Sequence, residues 1–99
     1  MNRAGESPSE FTQRQGQYLA FIHAYTLVNG RPPAQANIQR FFRVTPPTVH
    51  QTLIALEKAG LISRKPGVAR SLSVRVNPQK LPRLDPVEQQ TVISPGTRY

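Results

Sequence analysis

The chain has no cysteine. That excludes a disulfide framework and a thiolate metal site, and it suits a reducing compartment. Apolar runs are short, none near the ~20 residues that cross a bilayer. The opening stretch, MNRAGESPSE, lacks the apolar core of a secretory signal. The expectation is a soluble, cytoplasmic protein with no membrane partner. The groupings that catalysis needs are also missing. There is no Ser/His/Asp order, no carboxylate pair and no phosphate-cradling glycine loop, so the chain does not read as an enzyme. Its two histidines, His23 and His50, stand far apart, so no metal site is expected. No cofactor or small-molecule ligand is evident either.

Acids are scarce too, and this shortage points somewhere. Five Asp and Glu face thirteen Lys and Arg, for a net charge of +8. The imbalance is not in the tails. Residues 12–76 hold nine basic residues against Glu57 alone, and so carry the whole +8. A basic tail can be a solubility device. A basic folded core points to a polyanion, most often nucleic acid.

Ninety-nine residues, 37% of them hydrophobic, make one small domain with a thin core. Residues 1–10 are small and polar and read as a disordered segment. Thr12 and Gln15 then fit a capping box. Tyr18, Leu19, Ile22, Tyr25 and Val28 follow at helical spacing, with Phe21 at the margin of that face. Asn29-Gly30 is a stop signal, so a first helix is predicted over about 12–28. Pro32-Pro33 leads into a second, about 34–42, carrying Ile38, Phe41 and Phe42 at i, i+3, i+4.

The stretch RVTPPTVHQTLIAL looks at first like a broken helix. It reads better as a started one. Thr45 suits an N-cap, its hydroxyl accepting from a first-turn amide. Pro46 and Pro47 fall in the first turn, where amides have no intrahelical partner. Val49, Leu53 and Leu56 are the core face. The third helix is predicted over about 46–58, with Gly60 as its C-cap.

Two short helices joined by a tight turn make a helix-turn-helix pattern. A hairpin follows directly. LISR reads as a strand, KPGVAR as a turn and SLSVRV as an alternating strand with Leu72, Val74 and Val76 on one face. The fold class is therefore mainly α with a small β-hairpin, a three-helix winged helix-turn-helix over residues 11–76. Residues 77–99 have four prolines and no sustained period and read as a tail. Leu81, Leu84, Val87, Val92 and Ile93 within it could dock or meet a partner.

The order of landmarks resembles the N-terminal DNA-binding domain of the LexA repressor family. The matching stretches are FTQRQ, FIHAY, NGRPPAQANI, TPPTVHQTLIALEKAGLI and PGVARSLSV, in that order. They span about Phe11 to Val76. The resemblance implies a DNA-binding winged helix. This chain departs from the family in its FFRV turn, one residue shorter than usual. It also has His50 and Gln51 where the family has acids, and Pro47 where it has a polar contact residue. A different operator is implied. Full-length members of the family also carry a self-cleaving Ser–Lys peptidase. Only about 23 residues follow the wing here, and the only Ala-Gly pairs are 4–5 and 59–60. The chain thus reads as a stand-alone winged helix or a truncated piece, and self-cleavage is not implied.

A helix-turn-helix sets the N-terminal part of its second helix against base edges. The candidate base readers are Thr48, His50, Gln51 and Thr52. Gln51 leads, since glutamine pairs bidentately with adenine. Candidate phosphate contacts are Thr45 and Arg43 at the turn, Arg40 late in the second helix, Arg31 before that helix, and Arg64, Lys65 and Arg70 on the wing. Glu57 reads as a solvated neighbour of Lys58. The partner expected is double-stranded DNA, bound as a repressor-like transcription regulator, with a homodimer on DNA possible. The alternative is a protein-docking or architectural winged helix with only nonspecific DNA affinity, working through Phe41/Phe42 and the apolar tail. RNA binding lacks the aromatic platform that single-strand modules use.

Overall fold

Helix α1, Gln13–Asn29, begins where the capping residues stand. The computed structural model describes residues 10–87. In it Thr12 Oγ1 accepts from the Gln15 N–H at 3.1 Å, and Gln15 Oε1 accepts from the Thr12 N–H at 2.9 Å. This reciprocal pair satisfies two amides that a first turn leaves open. Gly30 closes the helix in the left-handed region, φ 78°, donating to Thr26 O at 2.8 Å. Tyr18, Leu19 and Ile22 are buried as their spacing predicts. Two residues differ. Phe21 is only 8% exposed, and Val28 is 82% exposed. The buried stretch of α1 is Gly16–Ile22, so the last turns of this 17-residue helix run past the core.

Helix α2, Gln35–Phe42, has Ala34 as its N-cap. Alanine offers no acceptor, but Asn37 Oδ1 accepts the Ala34 N–H at 2.8 Å. Tyr18 stacks on Phe42 with centroids 4.2 Å apart and planes 6° apart, and Phe21 stacks on Phe41 at 4.6 Å. These pairs lock α1 to α2. They also take Phe42, 1% exposed, out of any docking surface.

Helix α3, Pro46–Lys58, has the predicted bounds, with both prolines in its first turn. Its end differs by one residue from expectation. Ala59 is the C-cap and Gly60 follows it at φ 76°. Gly60 N–H donates to Glu57 O at 3.0 Å and Leu61 N–H to Leu56 O at 2.9 Å. That is the Schellman closure, which favours glycine one position beyond the cap. Val49, Leu53 and Leu56 point into the core.

Strands β1, Ile62–Ser63, and β2, Ser73–Val74, pair antiparallel with Ile62 opposite Val74. They are shorter than the alternation predicts. Beyond Ser63 a side chain replaces the ladder: Ser71 Oγ accepts the Lys65 N–H at 2.9 Å and donates to Val68 O at 2.9 Å. Leu61, Ile62, Leu72 and Val76 close the core under the wing.

The stretch after the wing, which read as a tail, lies along α1 as far as it is described. It forms a 3-10 turn, Pro78–Lys80, and Leu81 and Leu84 pack against the core. Pro82 approaches Gly16 so closely that a Cβ there would lie 3.0 Å from Pro82 Cγ. Lys80 Nζ pairs with Glu10 Oε2 at 2.8 Å. Val92, Ile93 and residues 1–9 lie outside the described residues. No helix among the described residues is long and apolar enough to cross a membrane.

Candidate nucleic-acid interface

The turn of the helix-turn-helix is Arg43–Val44–Thr45. Arg43 makes it tight by taking the left-handed conformation, φ 57° and ψ 47°. Glycine usually occupies such a position, and another L-residue there is held at a cost. Arg43 is exposed, three residues before the start of α3.

Helix α3 presents two contrasting faces. Inward are Val49, Leu53 and Leu56. Outward are Pro46, Pro47, Thr48, His50 and Gln51, all exposed, with Thr52 half-exposed. The hydroxyls on this face are engaged. Thr45 Oγ1 and Thr48 Oγ1 lie 3.0 Å apart, and Thr52 Oγ1 donates to Thr48 O at 2.9 Å. The sequence reading has Thr45 accepting from a first-turn amide. The structure gives it no such bond. Pro46 and Pro47 carry no N–H, so Thr48 is the first helical residue with an amide. Its side chain, not that amide, meets Thr45. Gln51 and His50 make no side-chain hydrogen bond among the described residues.

The basic residues divide into two kinds. Arg31, Arg40, Arg43 and Lys65 are exposed, and among the described residues none has a side-chain partner. Arg64 and Arg70 are held. Arg64 Nε donates to Glu57 Oε1 at 3.2 Å, tying the wing to the end of α3. Glu57 is therefore an ion-pair partner of the wing and not merely a solvated neighbour of Lys58. Arg70 is half-buried with a left-handed backbone, φ 55°. Its Nη1 donates to Pro32 O at 3.3 Å and reaches Tyr25 Oη at 3.4 Å. It fastens the wing to the end of α1 and the loop before α2. The guanidinium of each has further N–H groups to offer.

A groove of about 590 Å³ lies between the wing, the start of α2 and the end of α3, with Gln35, Arg64, Lys65 and Arg70 on its walls. Among the described residues Glu57 is the single acid bordering it. Of the nine basic residues in 12–76, three are not candidate contacts; one of them, Lys58, is exposed in the last turn of α3. Arg75 is exposed beside β2, and Arg14 sits over the Tyr18 ring, 5.9 Å from its centroid. Charge alone marks both; only the fold says where they lie. No cluster of three His, Asp or Glu among the described residues could hold a metal ion.

A family model described as the LexA DNA binding domain matches residues 8–71. The LexA repressor of Thermotoga petrophila is 46% identical over 65 residues, 66% of this chain and 33% of the repressor. That of Thermosipho africanus is 40% identical over 70 residues, covering 71% and 35%. That of Petrotoga mobilis is 41% identical over 66 residues, covering 66% and 32%. The chain spans about a third of the length of these curated relatives.

Proposed function

The chain belongs to the LexA DNA-binding domain family, and from that premise we propose that it binds double-stranded DNA sequence-specifically, as a repressor-like transcription regulator. Helix α3 enters the major groove and the wing lies on the backbone or in the minor groove. The observation that carries this reading is the outward face of α3. It exposes Gln51 and His50 with no internal partner among the described residues, and the exposed Arg43 stands in the turn that leads into it. Relatives named as LexA repressors support the same role.

Gln51 is the leading base reader, aided by His50, Thr48 and Thr52. Arg31, Arg40, Arg43, Lys65 and the Thr45 hydroxyl take phosphates. Arg64 and Arg70 first hold the wing in place and reach phosphate with their remaining N–H groups. One such module reads few base pairs, so two copies on half-sites about 34–36 Å apart supply useful specificity. Residence with DNA in the cytoplasm follows from the role.

The test is selection of bound duplexes from random DNA, then affinity against salt for the winner and a scrambled control. A specificity ratio above about 10³ supports a regulator. Six phosphate contacts give a log–log salt slope of about −5. Equal affinities for both duplexes would favour the protein-docking alternative, for which Leu27, Val28 and Val68, 72%, 82% and 53% exposed, are the exposed large apolar side chains among the described residues.

A further inference from the structure

The leading edge of α3 is unusual in what it lacks. Pro46 and Pro47 are exposed and have neither a backbone N–H nor a polar side chain. The hydroxyls of Thr45 and Thr48 face each other at 3.0 Å, and the Thr52 hydroxyl proton goes to Thr48 O at 2.9 Å. At the front of this edge an outside partner meets two pyrrolidine rings and the threonine methyls, beside the one hydroxyl proton that the Thr45–Thr48 pair leaves free. Pro47 shares its helix face with His50 and Gln51, three and four residues on. An apolar edge thus runs directly into a polar one.

In the major groove each base pair presents donors and acceptors, and only thymine adds an apolar group, its C5-methyl. A cytosine amine or a guanine carbonyl set against a pyrrolidine ring loses water and gains no partner. A thymine methyl set there loses nothing and buries apolar surface.

Resting on the DNA-binding reading above, we propose that Pro47, with the Thr48 methyl beside it, is a specificity-determining contact that selects thymine through its C5-methyl group. Gln51, one turn on, reads an adenine in the same half-site. Discrimination at the first position α3 reaches comes from a methyl contact, and at the next from hydrogen bonds.

The test takes the duplex that the intact protein selects and replaces its thymines one at a time with deoxyuridine, which removes only the methyl. The expected result is a loss of about fourfold in affinity at one or two positions per half-site, the usual worth of burying one methyl group. In Pro47→Ala protein, thymine and uracil at those positions should bind alike. Indifference to uracil at every thymine of a specifically bound duplex overturns the proposal and leaves the regulator reading standing. A uracil penalty that survives in both Pro47→Ala and Thr48→Ser protein overturns it as well. Failure to select any duplex removes both readings. The deoxyuridine series uses unaltered protein, so it decides the matter even if a variant folds poorly.

Discussion

The side chain of Gln17 and the backbone of Asp85 are joined across 68 residues: Gln17 Oε1 accepts the Asp85 N–H at 2.9 Å. The other end of the same amide, Nε2, donates to Arg83 O at 2.9 Å. Gln17 is 7% exposed on α1. A buried amide needs its donors and acceptor satisfied, and here two backbone groups of one passing segment meet that need. The family match ends at residue 71. The docked segment lies beyond it.

Removing the Gln17 amide should therefore loosen the fold without touching the outward face of α3. Gln17→Ala takes a partner from both Arg83 O and the Asp85 N–H. The expected cost is about 1–3 kcal/mol. For a domain of this size each kcal/mol lowers the melting temperature by about 4–8 °C. Circular dichroism melts check it. DNA affinity measured well below the melt should stay at the parent value. An unchanged melt would mean that the Gln17 bonds to Arg83 O and the Asp85 N–H contribute nothing to stability.

That contact also shows why the post-wing segment escaped a reading of the sequence. Its anchors are backbone atoms, which look the same in every residue. Leu81 and Leu84 offer no sustained period. The three helices were legible because their signals are local: Thr12 with Gln15, Asn29-Gly30, and prolines confined to a first turn. The outward face of α3 was legible for the same reason, since Val49, Leu53 and Leu56 set the inward one. The state of each cation was not. Arg64, Lys65 and Arg70 carry the same charge in the sequence. Only tertiary distance tells that Arg64 and Arg70 are held while Lys65 is exposed. Thr45 was misread at the level of a single bond, because the choice between an amide and a hydroxyl three residues on depends on the geometry of a proline-bearing turn.

The division among wing cations separates two effects that charge alone would merge. Lys65→Ala should leave the melt unchanged, weaken binding to all duplexes alike and flatten the salt slope by about 1. Arg70→Ala removes the ties to Pro32 O and Tyr25 Oη, so it should lower the melting temperature as well as the affinity. Arg70→Lys tests reach: both bonds leave the single Nη1, so an ammonium restores the melt only if its Nζ comes within reach of Pro32 O and Tyr25 Oη. Equal melts for Lys65→Ala and Arg70→Ala would show that Arg70 does not fasten the wing.

Tyr18 carries a small internal fault. Its ring is fully buried and stacked on Phe42, yet among the described residues its hydroxyl has no hydrogen-bond partner. An unsatisfied buried hydroxyl costs about 1–3 kcal/mol. Tyr18→Phe keeps the stacked ring and removes the fault. The expected result is an unchanged or higher melting temperature. A drop of more than about 1 kcal/mol in a denaturant titration, beyond its extrapolation error, would show that the hydroxyl does have a partner.

Arg43 sets stability against binding at one residue. Its left-handed backbone, φ 57° and ψ 47°, closes α2 and brings α3 within three residues. Arginine pays about 1 kcal/mol there relative to glycine. On the DNA-binding reading proposed above, its exposed side chain takes a phosphate. Arg43→Gly should therefore raise the melting temperature and yet weaken DNA binding to every sequence, with the salt slope flatter by about 1. The two readouts test separate steps. A higher melt with undiminished affinity would remove Arg43 from the phosphate contacts while leaving the strain argument intact. An unchanged melt would mean that the surrounding structure holds this turn at no cost to the fold. Both effects together would explain why an arginine stands where the helix geometry favours glycine: the turn that orients α3 also carries one of its phosphate contacts.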